Sequence, residues 1–186
     1  MKKHIASLIM ALTIPLNGAG ITFTIEHPNK DEKGDHIKGR VLLFLSNNDK
    51  EVPRFQTNDK SSTAFVFGAD LKPQPSSKTI INNKTFGYPI ESLDQIPKGD
   101  YFVQALLHKY ETFNLRTGHI VNLPMDRGEG QRWHSAPGNY YSTVKKVSLD
   151  PKKRSSIKII LDQIIPEIIP PKNTKYVKHI QIKSDL

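Results

Sequence analysis

Hydrophobic residues along this chain recur every second position rather than every third or fourth. The run Ile21-Thr-Phe-Thr-Ile-Glu26 alternates without a break, with Ile21, Phe23 and Ile25 on one face. That is the two-residue period of a half-buried strand. Within residues 37–46, Val41-Leu-Leu-Phe-Leu45 is apolar at every position, which predicts a central strand covered on both faces. Residues 64–67 form a further short run that Gly68 is expected to end. The turn formers Pro97-Lys-Gly-Asp100 lead into a strand with Tyr101, Val103, Ala105 and Leu107 on one side. A tyrosine at the mouth of a strand, straight after a turn, resembles the tyrosine corner of immunoglobulin-like sandwiches.

Residues 80–87 read as another strand and residues 91–96 as a single helical turn. Residues 144–149 and 157–161 are expected to pair as a hairpin around residues 150–156. No later segment sustains a 3.6-residue period. The pattern therefore predicts an all-β fold: an immunoglobulin-like antiparallel β-sandwich with long loops over residues 21–163. Prolines 166, 170 and 171 mark residues 164–173 as a semi-rigid spacer. Residues 174–186 then alternate as one more strand, which cannot bury an apolar face without partners.

The first 20 residues follow a different plan. Lys2 and Lys3 precede an uncharged apolar stretch over residues 5–16, and small residues follow at 18–20. This is the layout of a secretory signal peptide, and the stretch is too short for a membrane-spanning helix. Export to the periplasm or the cell exterior is expected, with no membrane span left once the signal is removed.

The 186 residues carry a formal charge of +9. Basic residues are scattered, and the one compact run, Lys152-Lys-Arg154, follows Asp150-Pro151 in a turn that should face water. A nucleic-acid partner is not expected. The chain has no cysteine, which excludes disulfides, thiolate metal sites and a cysteine nucleophile. Neither a Gly-x-Ser-x-Gly elbow nor a phosphate-cradling glycine loop nor His-Glu-x-x-His occurs, so no catalytic residue and no cofactor are assigned.

Residues 126–141 are the densest polar and aromatic stretch. Asp126, Glu129 and His134 could ligate a cation, although their spacing suits neither zinc nor calcium well. Trp133, Tyr140 and Tyr141 could together form a platform for pyranose rings. The plainer alternative is an ordered loop in which Trp133 anchors the fold. His108, beside Leu106 and Tyr110 in the alternating pattern, reads as structural, and His119 as an exposed turn residue.

Several runs, in order, resemble one family. They are Lys38-Gly-Arg-Val-Leu-Leu-Phe-Leu-Ser46, Pro53-Arg-Phe-Gln56, Gly87-Tyr-Pro-Ile-Glu-Ser-Leu93, Pro97-Lys-Gly-Asp-Tyr-Phe-Val-Gln-Ala105, Glu129-Gly-Gln131, Ser135-Ala-Pro-Gly-Asn139 and Tyr176-Val-Lys-His-Ile180. Together they are similar to the N-terminal region of secreted bacterial esterases with an α/β-hydrolase catalytic domain of the enterochelin-esterase type. The resemblance implies an accessory domain that precedes a Ser-His-acid catalytic domain, with residues 176–184 resembling the opening of that domain. The catalytic segment has no counterpart here, so the resemblance implies a chain truncated before it and inactive towards esters. The implied partners are a hydrolase domain, in cis or encoded downstream, and a carbohydrate or ester substrate. A free-standing exported binding module, using the loop from Trp133 to Tyr141 on carbohydrate, is the alternative.

Overall fold

The computed structural model describes residues 20–71, 76–180 and 182. Eleven strands follow one another along them: β1 (Gly20–Glu26), β2 (Lys38–Ser46), β3 (Phe65–Asp70), β4 (Lys78–Ile81), β5 (Gly87–Tyr88), β6 (Gly99–Asn114), β7 (Ile120–Leu123), β8 (Tyr140–Tyr141), β9 (Lys145–Leu149), β10 (Arg154–Ile160) and β11 (Gln163–Ile164). Two single 3-10 turns, Pro53–Phe55 and Leu93–Gln95, are the helical elements among the described residues. The second is closed by a capping box in which Ser92 and Gln95 satisfy each other's backbone donors. The expected export signal lies outside the described residues except for Gly20, which opens β1.

The strands form a sandwich. The small layer has the order β10-β1-β4, and the large layer runs β11-β8-β6-β2-β3-β5, with β7 and β9 also paired to β6. All pairings are antiparallel except β1 with β10, whose seven residues run parallel from Gly20 beside Arg154 to Glu26 beside Ile160. The 16-residue β6 is the spine: it pairs with β2 over nine positions and with β9, β8 and β7 in turn.

Alternation decides what lies between the layers. Ile21, Phe23 and Ile25 of β1 and Ile81 of β4 meet Val41, Leu43 and Leu45 of β2, Phe67 of β3 and Val103, Ala105 and Leu107 of β6, all buried. The other face of the large sheet is also covered. Phe44 and Leu106 are fully buried there under Ile165, with Trp133 and Tyr141 packed against them. The unbroken apolar run of β2 thus serves two faces at once. Tyr101 completes the corner, its hydroxyl donating to the Pro97 carbonyl oxygen at 2.6 Å.

Three expectations need correction. Residues 80–87 are not one strand, because β4 ends at Ile81 and Thr85 N–H closes a turn on the Asn82 carbonyl oxygen before β5 opens at Gly87. Gly68 does not end a strand but sits inside β3. A Cβ there would come within 2.6 Å of Arg40 Nε, so the missing side chain makes room for the Arg40 guanidinium to reach Asp70 at 2.8 Å. Residues 144–149 and 157–161 are not a hairpin: β9 pairs with β6 in the large layer and β10 with β1 in the small one. The intervening turn, closed by Lys153 N–H to the Asp150 carbonyl oxygen, carries the chain across the sandwich. Its basic residues 152–154 are exposed.

The chain end also differs in detail. Packing continues into the expected spacer, because Gln163 and Ile164 form β11 beside β8 and Ile165 is buried. The alternating residues 176–180 are not a strand. They lie exposed in a local turn, where Thr174 N–H donates to the Val177 carbonyl oxygen, Tyr176 and Val177 N–H to the Thr174 hydroxyl, and His179 N–H to Asn173 Oδ1.

Candidate functional site

Residues 126–141 do not make one site. They divide between two surfaces, and the division follows from strand geometry. Tyr140 and Tyr141 are successive residues of β8, so their side chains point to opposite faces. Tyr140 packs with the core between the layers and Tyr141 with the cluster on the outer face of the large sheet. A single platform of Trp133, Tyr140 and Tyr141 is therefore not formed.

On the outer face, Trp133 stacks on Phe44 with ring centroids 5.3 Å apart and planes 2° from parallel. His134 meets the Trp133 and Phe55 rings edge-on at 5.2 and 5.1 Å. The Arg54 guanidinium lies 4.5 Å from the Phe55 ring centroid and 4.3 Å from that of Tyr141, and its Nε donates to the His134 carbonyl oxygen at 3.3 Å. Burial is the main influence on Arg54, drawing its pKa down, although a guanidinium stays charged at any ordinary pH. Burial also holds the His134 imidazole below its usual range, and the charges of Arg132 and Arg54 add to the effect. Beneath these rings the buried Gln104 donates to the Ser142 carbonyl oxygen, and the Ser142 hydroxyl accepts from Ala105 N–H. Asn139, 2% exposed, donates to the Trp133 carbonyl oxygen and accepts from Lys109 N–H. The loop is thus pinned to β6 by satisfied buried amides, the arrangement that burial demands of polar groups.

The candidate cation ligands do not converge. Asp126 turns its carboxylate back on Gly128 N–H and Gly130 N–H, and Glu129 accepts from Arg127 N–H. Among the described residues no group of three His, Asp or Glu side chains is arranged to hold a metal ion.

The second surface is a groove of about 1090 Å³, bounded by residues 31–38, 108–112, 136–140 and 164–167. Tyr140 is the aromatic residue of the flagged loop that faces it. His108 lines it too, its ring edge-on to Tyr110 at 5.4 Å. Burial keeps the His108 pKa below the usual value, against a smaller upward pull from Glu129. Burial raises the pKa of the Tyr140 hydroxyl, with Glu32 and Asp31 adding to it. His119, as expected, is exposed in the β6–β7 turn, with Nδ1 2.9 Å from the Thr117 hydroxyl.

The sequence flagged the loop but missed Arg54, Phe55 and the residues 31–38 that wall the groove. Arg54 lies 80 residues before its partner His134, and no local pattern links them. Comparison of the chain with protein-family models, with curated proteins and with solved structures returns no match. Among the described residues no helix is long and apolar enough to cross a membrane.

Proposed function

We propose that this chain is a non-catalytic accessory β-sandwich of an exported hydrolase of the esterase type, which covers or orients a catalytic domain encoded in cis or downstream. The observation that carries the reading is the segment beyond the sandwich. Ile169, Tyr176, Ile180 and Ile182 are 87%, 86%, 81% and 86% exposed. Tyr176, Ile180 and Ile182 fall on even-numbered positions together with Lys178, so an extended chain would present all four on one side. Apolar side chains set out in that way mark a surface meant to be covered. In the family that the sequence resembles, this segment opens the catalytic domain, whose sheet would supply the cover. Further support comes from the polar groups of the outer face, where Arg54, Gln104, Asn139 and Ser142 are spent on holding the loop.

Two experiments test it. Purified chain should turn over p-nitrophenyl acetate no faster than a boiled control, and turnover above that control overturns the non-catalytic reading. The coding DNA beyond the Leu186 codon should encode a hydrolase domain with a Gly-x-Ser-x-Gly turn, in phase or after a stop. Unrelated sequence there removes the proposed partner.

A further inference from the structure

We propose that the groove beside Tyr140 binds a neutral oligosaccharide. This moves the carbohydrate surface away from Trp133, and it holds for the sandwich alone, with or without a catalytic partner.

Size is the first argument. Ligand clefts usually enclose roughly 300–1,000 Å³, and this groove, at about 1090 Å³, lies just above that range, with room for several sugar rings. Charge is the second. The chain as a whole carries +9, yet the groove lining has five carboxylates against four ammonium or guanidinium groups. A site for an acidic ligand would concentrate the basic excess that the chain has to spare. Here that excess is kept out, and what remains suits a polar ligand without net charge.

Availability is the third. Arg127 is taken by Glu111, Lys38 Nζ donates to the Thr112 hydroxyl at 2.7 Å, and Asp31 accepts from the Lys33 and Asp35 backbone N–H groups. Glu32, Asp35 and Glu167 have no ion-pair partner among the described residues. They offer acceptors, while Lys33 offers donors. The neutral imidazole of His108 can give one hydrogen bond and take another. A sugar hydroxyl needs that mixture, because it donates and accepts at the same atom. Met125 and Ile164, 44% and 49% exposed, supply apolar contact for the C–H faces of the rings beside Tyr140.

Affinity electrophoresis of the purified chain through gels containing xylan, mannan, mixed-linkage glucan, galactan or polygalacturonate tests this. Retardation by at least one neutral polysaccharide is expected. A Glu32→Ala/Asp35→Ala double variant, altered at exposed residues only, should melt like the parent and bind about tenfold more weakly, the scale of a lost charge-assisted hydrogen bond. Phe55→Ala, on the outer face, should bind as the parent does. Four results overturn the proposal: no retardation in any neutral gel, retardation by polygalacturonate alone, unchanged binding by the double variant, or binding lost in Phe55→Ala.

Discussion

The two faces of the large sheet are made by the same strands, one residue out of step, and are covered in unlike ways. The inner face meets three regular strands, and its cover consists of alternating aliphatic and aromatic side chains. The outer face meets an irregular loop, and its cover is one stacked indole, a guanidinium between two rings, and buried amides. Regular cover gets its hydrogen bonds from the ladder, so its side chains are free to be wholly apolar. Irregular cover must satisfy its own backbone, so polar side chains enter the packing.

The largest test of that difference is on the inner face. Phe23→Ala, at a fully buried position, should lower stability by about 3–5 kcal/mol and shift the whole denaturation curve as one transition. Trp133→Ala on the outer face should cost less, about 2 kcal/mol, because the indole is only half buried. Its sharper signature should appear in amide exchange, as lost protection at Gly138 and Ser142, whose N–H groups donate to Ile165 and Ala105. Equal global losses from the two variants, with unchanged protection at Gly138 and Ser142, would erase the distinction. Tyr101→Phe removes one hydrogen bond at the mouth of β6 and should cost about 1 kcal/mol, read from the urea midpoint.

Acid should act most weakly, through the two half-buried imidazoles at the groove and the outer face. Both His108 and His134 have pKa values lowered by burial. Below about pH 6.5 the unfolded chain takes up protons that the folded one resists. Stability from these groups is complete above that pH and is lost as pH falls through their folded values. Thermal melts from pH 7.5 downward should show that decline beginning near pH 6.5, and His108→Gln with His134→Gln should flatten it.

What the sequence disclosed follows the same division. The strands β1 and β6 were legible because each carries its own two-residue pattern, β2 because its short apolar run is unbroken, and Tyr101 because its turn precedes it. The partners of β9 and β10 were not legible. A turn such as residues 150–153 can fold a hairpin or cross between layers with the same local chemistry, and only the rest of the sandwich decides. The loop at 126–141 stood out by composition, yet its split across two surfaces depends on β8 being a strand of only two residues, too short to show a period. The groove wall at residues 31–38 gave no sign, because exposed charges in a loop look alike whether or not a cavity lies behind them.

The parallel pairing of β1 with β10 also sets a schedule. Gly20 lies beside Arg154, a separation of 134 residues, so the small layer gains its third strand only after most of the chain has been made. Until then the backbone ladder of β1 is limited to its four-position pairing with β4, beside the packing of Ile21, Phe23 and Ile25 on the large sheet. Contacts that span so much chain form late and slowly, since the loop between them must close first. The newborn protein should stay open and easily unravelled until residue 160 emerges, and lock shut in one step afterwards.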